Sequence, residues 1–299
     1  MKEENTRLGI ALMTGASFVF AVQDGISRHL AAEYNTYMIV MIRYWFFAVF
    51  VMALAARKSG GLRRAVATRH PLMQPFRGLL LAAEVCLMVA AYVKLGLIET
   101  HVVFACYPLI VAALSGPVLG ERVGWRRWSA IAVGFVGILI ILQPGLRVFS
   151  PFAFVPLLSA AMFALYGLLT RYVSRQDPSA VSFFWTGVTG AVAMTIVGLP
   201  HWQPLHGADQ LWMAALCCTA ALGHWLLIRA FEAAEASAIQ PFAYLQLVFI
   251  AAIGLTVFGE VLRLNVVIGA IVVVSAGLFT LWRARKVQAP AASEPMPPA

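Results

Sequence analysis

The chain alternates long apolar runs with short polar breaks. Ten runs approach the length needed to cross roughly 30 Å of hydrocarbon at 1.5 Å per helical residue. They cover about 8–30, 36–56, 77–95, 99–119, 127–143, 151–173, 178–198, 210–230, 236–257 and 264–282. The connections are short, the longest being the basic linker "RKSGGLRRAVATRHPLMQPFR" over 57–77. The closing "APAASEPMPPA" has no apolar core and is expected to be disordered. The first run begins near Leu8 and exceeds the apolar centre of a signal peptide, so it reads as an uncleaved first span.

Composition agrees with that pattern. The 299 residues are 61% hydrophobic and 12% charged, with a mean hydropathy of +0.83, whereas soluble domains carry about 25% charged residues. The surroundings of this chain are therefore a lipid bilayer. A net charge of +9 would admit nucleic-acid binding only as a clustered basic face on a soluble domain. Here the basic residues fall between apolar runs, so nucleic acid is excluded and the charge reports topology. With a cytoplasmic N-terminus, 17 of the 22 Lys and Arg lie on the cytoplasmic side and four on the other: Arg28, Lys94, Arg147 and Arg263. Arg43 alone falls inside a span. The asymmetry predicts a multi-pass protein of an inner membrane with both termini cytoplasmic. Cys86, Cys106, Cys217 and Cys218 sit in apolar runs without metal spacing and read as packing residues.

The chain also repeats itself. "ASFVFAVQDGISR" (16–28) aligns without gaps with "SAAMFALYGLLTR" (159–171), and "GPVLGERVGW" (116–125) is echoed by "GLTVFGEVLRL" (254–264). The unit is half the chain, about five spans, and an odd number of spans inserts the second copy upside down. That predicts an all-α polytopic membrane protein of ten transmembrane helices. Two inverted repeats, 1–145 and 146–286, would enclose a central cavity, followed by the tail 287–299.

The paired half-motifs resemble the EamA type of the drug/metabolite transporter superfamily. "AYVKLGLIETHVVFACYPLIVAALSGPVLGE" (91–121) carries a proline, Pro108, thirteen residues before Glu121. "AFEAAEASAIQPFAYLQLVFIAAIGLTVFGE" (230–260) carries Pro241, the triplet Tyr244-Leu245-Gln246, and Glu260, but has Leu247 where the family often has a second proline. An arginine early in the second span, as in "MIRYWF", is also common in the family. The resemblance implies two inverted EamA repeats working by alternating access on small organic metabolites, with some members resembling YddG-like amino-acid exporters.

Depth along the spans sorts the intramembrane polar residues. At 1.5 Å per residue, Asp24 lies roughly 24 Å and Arg43 roughly 20 Å from the cytoplasmic face; Glu84 and His224 lie at roughly 10 and 9 Å. Asp24 shares a polar stripe with Ser17, Ser27 and Arg28, which should turn inward. It can pair locally with Arg28, or across to Arg43. An Arg43–Asp24 ion pair is the leading reading for the buried guanidinium, with contact to a substrate carboxylate second. Glu84, among Leu, Ala and Val, suits proton exchange or a substrate ammonium, against a structural hydrogen bond. His224 divides evenly between ligand and interhelical bond. Tyr107, Tyr166, Trp185, Tyr244 and Gln246 complete the expected cavity wall. Pro108 and Pro241 lie inside spans 4 and 9 as kinks or gating points. Glu121 and Glu260, each after a glycine and before a span, read as structural caps of the following helix.

The expected function is a secondary transporter exporting small metabolites, with amino acids, aromatic or otherwise apolar, as the leading substrate class and a monomer as the working unit. A drug or organic-cation exporter is the alternative. An intramembrane enzyme is remote: no H-E-x-x-H or G-x-S-x-G is present, and no cofactor or metal is expected.

Overall fold

The computed structural model describes residues 6–57, 61–119, 124–142, 152, 154–173, 175–233, 239 and 242–288. All regular structure among them is helical: α1 Thr6–Glu33, α2 Thr36–Ala56, α3 Gly61–Val66, α4 Met73–Leu95, α5 Leu97–Phe104, α6 Tyr107–Leu119, α7 Trp125–Leu142, α8 Phe154–Val173, α9 Ser179–Gly198, α10 Asp209–Ala233, α11 Leu245–Thr256 and α12 Leu264–Gln288. A backbone in hydrocarbon must satisfy its own N–H and C=O groups, and an apolar run does so as a helix. Seven helical stretches among the described residues are long and apolar enough to span a bilayer. Three shorter apolar helices, Trp128–Leu142, Leu245–Thr256 and Leu264–Thr280, stand beside them. Phe18, Val192, Ile196 and Leu211 point outward from the bundle, as lipid-facing side chains must. The polar stripe of α1 turns inward as expected, with Ser17, Asp24 and Ser27 buried.

Helix packing relates the two halves of the chain. α1 packs on α10 and α11, while α8 packs on α4 and α6. Exchanging first-half helices for their second-half counterparts converts one set of contacts into the other. α2 with α9, and α7 with α12, pair across the division. Close approach at these contacts needs small residues: a Cβ at Gly190 would overlap the Tyr44 ring, and one at Gly277 the Tyr244 hydroxyl.

Three details differ from the sequence expectation. The basic linker contains the short helix α3. The fourth apolar run is not one helix but two, α5 and α6, separated at Ala105–Cys106. Pro108 explains the break: it has no N–H to offer Phe104, and the Cys106 carbonyl instead accepts from Leu109 N (2.9 Å) and Ile110 N (3.2 Å) to start α6. Finally Arg77, counted with the basic flank, is fully buried. Its Nε donates to Thr170 Oγ1 (2.9 Å) and Nη1 to Gln74 Oε1 (2.6 Å), with the guanidinium over the Tyr166 ring. Gln74 in turn donates to Asp177 Oδ2 (2.9 Å), which also accepts from the Thr68 hydroxyl, while Asp177 Oδ1 accepts from Arg69 N (2.9 Å). This network ties the start of α4 to the α8–α9 turn. The end of the bundle where α1 and α4 begin is called the near end below, and the opposite end the far end. Glu121 and Pro241 lie outside the described residues.

Candidate functional site

A cavity of about 210 Å³ lies between the two halves. Its walls come from α1, α2, α4, α5, α6, α8 and α10, with Ala243 just before α11 and Gln246 in its first turn. Apolar and aromatic side chains dominate: Phe20, Phe47, Tyr92, Phe104, Tyr107 and Phe163. Tyr107 and Phe163 meet edge to face at 5.1 Å, and Phe104 tilts against both. A few polar groups in such walls make a ligand site that fixes orientation while apolar area supplies affinity.

Those polar groups are unevenly partnered. Glu84, on α4, accepts one hydrogen bond from Ser159 Oγ of α8 (2.6 Å), a bond between the halves. Asp24, on α1, is held by His101 Nε2 at 3.0 Å and by Gln246 Nε2 at 3.1 Å, both to Oδ2. His101 lies on α5, its Nδ1 3.1 Å from the Leu97 carbonyl and its ring stacked on Tyr92. His224 is wedged among rings, stacked on Phe47 (5.8 Å) and edge-on to Phe20 (5.3 Å) and Phe183 (6.4 Å). Arg43 lines the same cavity, half-buried, and among the described residues it makes no hydrogen bond or ion pair.

The expected Arg43–Asp24 pair is therefore absent, and so is the local Asp24–Arg28 pair. Arg28 instead meets Glu260 at the far end, one turn of α1 beyond Asp24, with its guanidinium 4.1 Å from the centre of the Phe258 ring. Glu260 is a cap, but of a different helix than expected. Its carboxylate accepts from Leu97 N (2.7 Å) and Ile98 N (2.9 Å), the first turn of α5 in the other half of the chain. Gly96 makes room for it: φ is +91° there, and a Cβ would stand 2.8 Å from Glu260 Oε1. Nearby, Asp209 bridges Tyr34 (2.8 Å) and His29 (3.5 Å). Together these contacts bridge the far end beyond the cavity.

Of the residues expected at the site, Asp24, Arg43, Glu84, Tyr107, His224 and Gln246 line this one cavity. The other three stand apart from it. Tyr166 lies beneath Arg77; Trp185 Nε1 donates to the Val66 carbonyl (3.2 Å); the Tyr244 hydroxyl is buried against Gly277 and unpartnered among the described residues. Long aromatic side chains at the right depth can face any direction around a helix, and depth alone does not choose. His101 is not among the residues expected at the site, although the sequence carries a signal for it. Two residues into the fourth apolar run, it sits roughly 3 Å from the far face, within a few ångströms of Asp24 in depth.

Comparison with known proteins places this geometry. The model of the EamA-like transporter family matches twice, over residues 7–143 and 151–282. An S-adenosylmethionine uptake transporter of Rickettsia prowazekii is 23% identical over 266 residues, covering 89% of this chain and 90% of the relative. A riboflavin transporter of Vibrio cholerae is 25% identical over 284 residues (93% and 94%). The pseudopaline exporter CntI of Pseudomonas aeruginosa is 24% identical over 270 residues (90% and 94%). A solved structure superposes with a TM-score of 0.64 at 14% identity, covering 94% of this chain and all of the other, a likeness of fold. With two matches that together span most of its length, the chain belongs to the EamA-like transporter family of the drug/metabolite transporter superfamily, and it is a multi-pass membrane transporter rather than an enzyme.

Proposed function

We propose that the protein moves amino-acid-type zwitterions bearing an apolar or aromatic group across the inner membrane by alternating access. The observation that carries this reading is Arg43. A guanidinium stays charged in a protein, and leaving it in a low-dielectric cavity with no carboxylate in ion-pair contact among the described residues costs several kcal/mol. A substrate carboxylate would remove that cost. Glu84, anchored by a single bond to Ser159, leaves its second oxygen for an ammonium, and the rings of Phe20, Phe104, Tyr107 and Phe163 receive the side group. The same Arg43 weighs against an organic-cation exporter, whose substrate would face an unpaired positive charge.

The relatives fit this chemistry at a coarse level. S-adenosylmethionine carries an amino-acid group and a flat ring system, and riboflavin a flat ring system with a polar chain. Ten spans in two inverted repeats, N- and C-termini cytoplasmic, would put the far end outside and make the Arg28–Glu260 pair part of the outer closure. Pro108, in the first turn of α6 just after the α5–α6 break, is a pivot for that motion, and Pro241 is assigned the matching role in the second half. The working unit of this proposal is the monomer. A carrier of this kind runs down either gradient, and it exports wherever the metabolite accumulates inside the cell.

Counterflow in proteoliposomes tests the reading, with labelled L-tryptophan, L-leucine, S-adenosylmethionine, riboflavin and tetraphenylphosphonium. Zwitterions should exchange, their methyl esters should not, and Arg43→Gln should lower zwitterion exchange about 100-fold, as for loss of a charge-assisted contact of about 2.7 kcal/mol. Exchange of tetraphenylphosphonium alone, or equal exchange by Arg43→Gln, refutes it.

A further inference from the structure

The contact between Asp24 and His101 carries a proton count of its own. The Leu97 carbonyl oxygen can only accept, so the imidazole nitrogen 3.1 Å from it, Nδ1, bears the hydrogen. That leaves Nε2 facing Asp24 Oδ2 at 3.0 Å. Two lone pairs do not approach so closely in a buried site, so one proton lies between them, formally on the imidazole or on the carboxyl. The count requires one proton in the closed arrangement: imidazolium with carboxylate, or neutral imidazole with carboxylic acid. Release of that proton to cavity water leaves a neutral Nδ1–H imidazole and a carboxylate whose lone pairs repel.

We propose that Asp24 and His101 form a proton-binding site on the substrate cavity, whose occupancy holds α5 against α1. Both side chains line the cavity and both residues are buried. The groups facing the pair are Gln23 and Arg28 on α1, Arg43 on α2, Tyr92 and Glu84 on α4, Tyr107 on α6, His224 on α10, Gln246 on α11, and Glu260 beyond it. Arg28 is already matched by Glu260, and Gln246 keeps its donor on Asp24 whichever protonation state holds. What changes with the proton is therefore the α1–α5 contact itself.

The fold lets that change move something. α5 is eight residues long and is cut from α6 at Ala105–Cys106. At its far end it is fixed by the Glu260 cap, and one turn along by Asp24. These two attachments meet α1 at Arg28 and Asp24, four residues apart on one stripe. Losing the proton removes one of the two and frees α5 to turn on the other. Each transport cycle would then carry one proton, released into the cavity or taken from it, in the opposite sense to substrate occupancy or together with it.

The proton site stands on this geometry, and its use in transport rests on the transport reading, so two measurements separate them. In the first, the full chain carrying 15N-histidine is placed in lipid nanodiscs and its six histidines are followed by NMR from pH 5 to 9, His101→Gln supplying the assignment. The expected His101 signal keeps a protonated Nδ1 throughout, and its Nε2 signal changes as the shared proton leaves. In Asp24→Asn, where the amide donates to Nε2, that change disappears. A bare Nδ1, or an Nε2 response unaltered by Asp24→Asn, overturns the proposal, whatever transport assays give.

In the second, proteoliposomes are given a one-unit pH gradient with L-tryptophan or S-adenosylmethionine as probe. Accumulation relative to counterflow should reach up to about tenfold, the equilibrium value for one coupled proton, and fall to unity in Asp24→Asn and in His101→Gln. Gradient-driven accumulation that survives in both variants overturns the coupling. Failure of either probe to exchange in the unaltered protein counts against the zwitterion reading and leaves the NMR result to decide the proton site.

Discussion

Glu260 concentrates more of the far-end architecture in one side chain than any other described carboxylate. Replacing it with alanine removes three contacts at once. The bonds from Leu97 N and Ile98 N end on a charged acceptor and sit at a helix N-terminus, about 1.5 kcal/mol each. The pair with Arg28 is partly sheltered, with side chains 19% and 13% exposed, so it falls between the ~0.5 kcal/mol of a surface pair and the ~3 kcal/mol of a buried one. Glu260→Ala should therefore destabilise by about 4–5 kcal/mol, and Glu260→Gln, which keeps an acceptor for the cap, by about half. A double-mutant cycle with Arg28→Gln isolates the ion pair, with an expected coupling of about 1–2 kcal/mol. The assay is unfolding in mixed SDS micelles followed by tryptophan fluorescence. A loss below about 1 kcal/mol for Glu260→Ala, or additive Glu260→Gln and Arg28→Gln, refutes the assignment of Glu260 as a clamp between the halves.

Gly96→Ala should cost at least about 2 kcal/mol in the same assay, since φ of +91° with ψ of 168° is essentially a glycine conformation and the new methyl would press on the Glu260 carboxylate. A neutral effect would mean the α4–α5 turn can relax. Outside the spans, burial works to raise the Asp177 carboxyl, but the Arg69 N–H, the Thr68 hydroxyl and the Gln74 amide outweigh it and hold the group below its ordinary value. A lowered folded value means the stabilisation is present above the unfolded Asp pKa of about 3.9 and is lost as pH falls below it. The midpoint of thermal unfolding should accordingly fall more steeply between pH 4 and 3 in the unaltered protein than in Asp177→Asn, and parallel curves would exclude the network as a source of acid sensitivity.

Depth fixes a residue's level in the bundle, and the direction it faces needs a further constraint. Asp24 sits on a stripe with Ser17 and Ser27, and burial of that stripe sends it inward. Tyr166 and Trp185 had no such stripe, and Tyr166 found a cation, Arg77, that lies near it only because α4 packs on α8. Partners were the harder problem. Depth matches Asp24 with Arg43, yet its nearest partners come from α5 and α11, helices far away in the chain. Glu260 reads in sequence as a cap of the helix that follows it, and the helix it meets in the fold begins 163 residues earlier.

Sequence alone determined that the chain is a helical membrane protein, that its halves repeat, and that a handful of charges are buried within it. These follow from local properties, because an apolar run in lipid must become a helix and a buried charge is expensive wherever it faces. The tertiary structure decided the rotation of each helix and the crossing of the two halves, and so which charge meets which. That choice left Arg43 open to the cavity, gave Asp24 to His101, and placed Glu260 over α5. It depends on contacts such as Gly190 under Tyr44 and Gly277 under Tyr244, set by the shapes of many side chains at once rather than by any one stretch of sequence.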